Sequence, residues 1–425
     1  MRQAPDPPEW ERPRLAPGDI GPVPLEQVDL ADPDHFTDGA THWRMLDTLR
    51  RDDPVHWQPE PAPGSGFWAV TRHADIVRVG RDSDTFSSAR FVNLEEVTDD
   101  QIARRASMLE LDGPRHLALR GLLRREFTAA AVRGHTDLLR DLATTTLDRA
   151  PSGSGPFDFV TEVAAPFPAR VLARLLGLPP EGHRLLLDWG DRLLATASPR
   201  DRERHRDLPF NSPAALEVFA HGRALARERG GGLAARLVEG SPQDGVPLSG
   251  REFDNYFLLL VAAGHETTRH TLSHALLALA HHHEQYARLR RDPALLPLAV
   301  EEFLRRASPV HHFRRTATRD THLGGRRIRA GDKVVMWYSS GNRDERVFAD
   351  PYAFDVTRTP NPHLAFGRGG PHRCLGAALA RAEIRVLFEE LLARWSDVRP
   401  AGPVRWTRSN FIHGIRRLPV DVTPA

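Results

Sequence analysis

The sequence predicts a mainly α-helical protein with a smaller β-rich region, and three observations carry that expectation. Apolar residues recur at helical spacing from about residue 115 to 290, as in Leu117-Ala-Leu-Arg-Gly-Leu-Leu and Arg170-Val-Leu-Ala-Arg-Leu-Leu. Short strand-like runs such as Gly66-Phe-Trp-Ala-Val-Thr lie between residues 40 and 90, and similar runs return after residue 310. No internal repeat appears at solenoid periods, so the helices belong to a globular unit.

Taken in order, residues 1–25 are rich in proline and charge, without the continuous apolar stretch of a signal peptide or anchor, and read as a flexible N-terminal arm. Residues 26–425 read as a single domain. Its first part alternates strand-like pieces with helix-like ones such as His73-Ala-Asp-Ile-Val-Arg-Val. The most apolar long segment, Phe257 to Ala280, contains His265, Glu266, Arg269 and His270, which are costly within a bilayer. It therefore reads as a buried helix, and no membrane anchor is expected. Stretches 198–213 and 228–250, dense in Arg, Pro, Gly and Ser, read as loops, the first placed to cover a pocket. Strand-like pieces follow at Thr321-His-Leu and Lys333-Val-Val-Met-Trp. A proline-rich segment then leads to a cysteine and to a helical run ending near Trp395.

Across 425 residues the 58 basic and 56 acidic side chains nearly cancel, leaving a formal charge of +2. Nothing in that balance marks the chain as a nucleic-acid binder. One cysteine cannot close an internal disulfide, so a cytoplasmic location is expected and Cys374 is free for chemistry.

Cys374 lies in Phe366-Gly-Arg-Gly-Gly-Pro-His-Arg-Cys374-Leu-Gly376. The glycines let the backbone approach a flat ligand closely. A cysteine at a helix N-terminus is biased toward thiolate, the form that ligates iron. The bland alternative, a small buried hydrophobe, is weakened by those glycines. A phosphate-cradling loop is excluded because no lysine follows them.

This segment resembles the haem-binding signature of the cytochrome P450 family, with Cys374 at the ligand position. The phenylalanine stands eight residues before the cysteine where seven is usual, a form shared with bacterial members acting on steroids and methyl-branched lipids. The resemblance implies the cytochrome P450 fold, one haem b (iron protoporphyrin IX) with Cys374 as its metal ligand, and monooxygenase activity.

Ala263-Gly264-His265-Glu266-Thr267-Thr268 places an acid and two hydroxyls within the apolar helix, where burial demands a reason. A proton relay supplies one, since reductive splitting of dioxygen consumes two protons. The alternative is a threonine bonded back to the preceding turn and a glutamate reaching solvent. By resemblance Glu266 and Thr267 are the acid–alcohol pair. The zinc pattern His-Glu-x-x-His fails, since Arg269 stands where the second histidine belongs.

Further site residues follow from the resemblance. His116, Arg120, Arg315 and His372 are expected to meet the haem propionates, Phe366, Gly376 and Ala263 to lie beside the haem, and Glu302 with Arg305 to lock a core helix to the segment before the haem loop. No flavin or iron–sulfur segment follows Cys374, so a ferredoxin or flavodoxin donor with an NAD(P)H reductase is implied. Pocket walls are expected from about residues 85–108, 185–215, 262–267, 310–313 and 411–412. The substrate is expected to be a steroid, terpenoid or branched lipid, with tailoring of a polyketide or carrier-bound peptide as the alternative. A haem-thiolate gas sensor and a peroxide-driven enzyme are the rivals of other classes.

Overall fold

The computed structural model describes residues 21–151, 153, 155–194, 203–228 and 231–425. Among the described residues the strands run β1 Val55–Gln58, β2 Phe67–Val70, β3 Phe86–Ser87, β4 Phe157–Asp158, β5 His312–Ala317, β6 Thr321–Leu323, β7 Arg326–Ile328, β8 Lys333–Trp337, β9 Trp395–Pro400, β10 Arg405–Trp406, β11 Ile415–Arg417 and β12 Pro419–Pro424. The largest sheet has the order β1-β2-β8-β5-β3, with β2 and β8 parallel and the other pairs antiparallel. β8 is buried on both faces, which explains why Lys333-Val-Val-Met-Trp is nearly all apolar rather than alternating.

The helices include α1 Thr41–Asp52, α2 Gly113–Arg124, α3 Pro166–Leu176, α4 His183–Leu194, α5 Gly250–His281, α6 Leu296–Ala307 and α7 Ala377–Arg394, and the helix His73–Arg81 also lines the cavity through Ile76, Val77 and Gly80. α5 has 32 residues, a length of about 48 Å. It opens with a capping box in which Ser249 Oγ accepts from the Glu252 amide and Glu252 accepts from the Ser249 amide. Both large apolar cores draw on it, one from its N-terminal half with α3 and α4, the other from its C-terminal half with α6 and α7. α3 begins with a proline in its first turn and ends at Gly177, whose φ of 87° is the left-handed value that stops a helix. Among the described residues no helix is long and apolar enough to cross a membrane.

Two expectations change. The stretch 228–250 contains a helix, Gly232–Glu239. Of the stretch 198–213, residues 198–202 lie outside the described residues, as do 1–20 of the proposed arm. The last residues of that arm are tied down: the Val23 amide donates to Thr48 Oγ1 on α1 at 3.1 Å, and that hydroxyl donates back to Val23 O at 2.8 Å. α5 stays helical through Gly264. A Cβ there would sit 3.0 Å from Leu172 on α3, so the glycine serves close packing.

Candidate active site

The cysteine loop closes on itself through the Cys374 amide, which donates to Phe366 O at 2.9 Å despite the extra residue between them. Gly367 and Gly369 take φ values of 68° and 85°, conformations that side chains oppose. Gly370 packs so tightly that a Cβ would lie 1.9 Å from Gly80 O. The Phe366 ring carries the Arg381 guanidinium 4.6 Å from its centroid, and Arg381 pairs with Glu301 at 2.5 Å.

Cys374 stands three residues before the first residue of α7, and its thiol opens into an internal cavity rather than to bulk solvent. Burial pushes that thiol up, against the Gly376 amide and the charges of Arg120, Arg381 and Arg373. The helix-end bias toward thiolate is therefore outweighed here, and a cation bound directly to sulfur is what would reverse the balance.

Counting its open mouth, the cavity measures about 1680 Å³, more than the ~300–1,000 Å³ that one small ligand needs. Cys374, Phe366 and Gly376 line one side, and Ala263, Gly264 and Thr267 of α5 the other. Arg120, Arg315 and His372 also reach it. Among the described residues neither arginine makes an ion pair: Arg120 donates to Arg373 O at 2.5 Å and Arg315 to Arg314 O at 2.8 Å. Burial lowers both guanidinium pKa values. A buried cation, Arg315, and a half-buried one, Arg120, both without counter-ions, call for anions. His372 Nδ1 is likewise buried without a partner. A planar group bearing two carboxylates and an iron on the cysteine side fits this donor set.

His116 does not line the cavity. It lies behind His372, with ring centroids 4.0 Å apart and its nitrogens against Met108 O and Pro371 O. Asp112, at the N-terminus of α2, leaves its own helix uncapped; it accepts from the Ser88 amide and Ser87 Oγ and faces His372 Nε2 at 3.4 Å.

On α5, Thr267 faces the cavity and donates to Ala263 O at 3.1 Å, the back-bonded arrangement. Glu266 points away from it. Its carboxylate lies 3.1 Å from His265 Nε2, 3.2 Å from Arg269 Nη1 and 3.6 Å from His270 Nε2. Burial acts to raise this carboxyl, yet the His265 hydrogen bond and the charges of His265, Arg269 and His270 hold it well below the usual range. A second acid does line the cavity. Glu383 on α7 hydrogen-bonds with Thr268, and burial drives its pKa well above the carboxylate range. Nothing in the sequence singles it out from Arg381, Arg385, Glu389 and Glu390 on the same helix.

The distal walls are apolar: Val92, Met108, Leu172, Leu260, Val310 and Phe313. Walls expected from 185–215 and 411–412 do not reach the cavity among the described residues, although Phe411 packs behind Phe313 with ring centroids 5.7 Å apart.

The comparisons with known proteins fall in line with this geometry. A family model described as Cytochrome P450 matches residues 232–402. A methyl-branched lipid omega-hydroxylase of Mycobacterium tuberculosis is 38% identical, covering 94% of this chain and 95% of that protein. A linalool 8-monooxygenase of Pseudomonas putida is 37% identical over 94% of this chain and all of its own length. A Mycobacterium marinum cytochrome P450 in complex with pseudoionone superposes with a TM-score of 0.85 at 37% identity, covering 94% of this chain and 99% of that one. The chain belongs to the cytochrome P450 family. It is a haem-dependent monooxygenase that works with redox partners on a hydrophobic substrate.

Proposed function

We propose that the chain holds one haem b with Cys374 on its iron and hydroxylates a methyl-branched, isoprenoid-like hydrocarbon chain. The observation that carries the cofactor reading is the pairing of Cys374 with two guanidiniums free of ion pairs, half-buried Arg120 and buried Arg315, in one cavity. These arginines and His372 would take the propionates, with His116 bracing His372. When bound, the haem supplies reductive activation of dioxygen.

The protein's own residues then do three things. The apolar walls bind and orient the substrate and exclude water from it. Phe366, packed beneath Arg381, fixes the loop that presents the sulfur. Thr267, at the cavity face, and Glu266, its neighbour, deliver protons.

Two features support the substrate class. Among the described residues the distal walls carry no charged anchor for a carboxylate head group. The named compounds and substrates of the relatives, methyl-branched lipid, linalool and pseudoionone, share an acyclic methyl-branched carbon skeleton. Electrons are assigned to a ferredoxin or flavodoxin with its NAD(P)H reductase.

The test is a spectral titration followed by product analysis with a surrogate ferredoxin and reductase. An acyclic methyl-branched alcohol should shift the haem absorption band to shorter wavelength and yield a hydroxylated product. Turnover of a steroid or of a carrier-tethered chain alone would contradict the assignment.

A further inference from the structure

We propose that the Tyr338 hydroxyl donates a hydrogen bond to the haem carboxylate that Arg315 takes, which makes Tyr338 a cofactor-binding residue. The inference rests on the haem reading of Cys374, Arg120 and Arg315.

β5 and β8 pair antiparallel, with Phe313 opposite Met336 and Arg315 opposite Val334. Residues two apart on a strand share a face. Phe313 and Arg315 therefore project together from β5, and both line the cavity. Tyr338 is the first residue after β8. Its ring stands edge-on to Phe313, with centroids 6.1 Å apart and planes at 80°, and it lines the same cavity. Tyr338 is 8% exposed, and as part of an internal wall it opens that surface to the cavity.

Among the described residues the Tyr338 hydroxyl has no hydrogen-bond partner. Burial raises its pKa, against the charge of Arg315. The hydroxyl thus keeps its proton and remains a donor. Arg315 is equally short of partners. One guanidinium N–H reaches Arg314 O at 2.8 Å. The acids whose charge acts on Arg315 are engaged elsewhere: Asp112 accepts from Ser87 and Ser88, and Glu110 from Ser107. A phenol and a guanidinium buried in one wall both call for an acceptor. A carboxylate suits the two together, because its oxygens accept several hydrogen bonds and its charge answers the guanidinium.

The neighbourhood favours the cofactor over the substrate as the source of that carboxylate. Tyr338 shares a small core with Ile76 and Leu364, and Leu364 lies two residues before Phe366 in the segment that carries Cys374. Tyr338 adds a neutral donor beside the guanidinium, so it strengthens the hold on the cofactor without adding charge.

The experiment compares Y338F, R315Q and the parent holoenzyme by haem transfer to apomyoglobin and by the propionate bending band in the resonance Raman spectrum of the ferric protein. Y338F keeps the ring against Phe313 and loses only the hydroxyl. It should release haem on the order of 10-fold faster, the scale of one hydrogen bond to a charged group, and lower the frequency of the propionate band. An unmoved band in Y338F overturns the proposal whatever the release rate, since altered packing alone can change release. If R315Q moves the band and Y338F does not, the haem reading survives without Tyr338. If neither variant moves it, or the parent binds no haem, both fall. A changed substrate midpoint in Y338F with a parent-like band would place the hydroxyl against the substrate and overturn the proposal as well. Should Y338F not fold, 3-fluorotyrosine placed at position 338 of the full chain decides. Its more acidic hydroxyl donates more strongly and should raise the band frequency; an unmoved band again overturns the assignment.

Discussion

Arg305 grips Glu302 through two parallel hydrogen bonds, Nε to Oε2 at 2.7 Å and Nη2 to Oε1 at 2.8 Å, with both side chains fully buried. Arg305 also donates to the carbonyls of Asn342, Pro351 and Ala353, while Arg358 and Asn361 donate to Glu302. The pair thus ties α6 to the 342–361 segment that leads into the cysteine loop. Removing one partner strands a buried charge, so Glu302→Gln should cost about 3–5 kcal/mol. Arg305→Lys should be nearly as harmful, because an ammonium cannot reproduce the planar fork. Urea unfolding and haem retention measure both; a loss below about 1 kcal/mol, the scale of an exposed pair, would refute the role.

A buried histidine cluster makes stability acid-sensitive. His42, His274, His311 and His413 lie with neighbouring ring centroids 4.0–5.6 Å apart, and His312 packs on Trp337. Burial lowers His42, His274 and His312 to about 3, and holds His311 and His413 well below the usual imidazole value. Folded values below the unfolded value of 6.5 mean that the native state prefers neutral rings. Their contribution is complete above pH ~6.5 and is lost as pH falls toward the folded values. Urea midpoints measured from pH 7 to 4 should drop steadily. In His312→Phe, which replaces a ring whose two nitrogens have no partner, that drop should be shallower; an unchanged slope would contradict the account.

Glu383 has the opposite sign. Burial raises its carboxyl well above 4.5, so the native state prefers the protonated acid, whose contribution is complete below the unfolded value and is lost as pH rises from there toward the folded one. Glu383→Gln mimics the neutral form. It should match or exceed the parent in stability at pH 7 and equal it near pH 4. Destabilisation at pH 7 would show that the residue is ionised.

How far the sequence could be read divides along a physical line. The cysteine loop was legible because its glycines, spacing and lone sulfur act locally; the Phe366–Cys374 hydrogen bond accommodates even the extra residue. Glu302 with Arg305 was legible only through resemblance, since an i, i+3 pair is ordinary on any helix. Which way Glu266 faces was not legible: helical spacing separates it from Thr267 by about 100°, but α4 and Gly190 determine which of the two meets the cavity. Helix Gly232–Glu239 was hidden by flanking glycines at 231 and 232 that adopt φ of 81° and 82°. The histidine cluster was invisible because its members come from α1, α5, the β5 approach and the β10–β11 connection.

The central claim is that Cys374 ligates the haem iron, and the ferrous-carbonyl difference spectrum tests it most directly. The purified protein should show the red-shifted band of a thiolate ligand, and Cys374→Ala should lack it while keeping the fold measured by circular dichroism. A colourless parent protein, or a red-shifted band that survives in Cys374→Ala, would contradict the account.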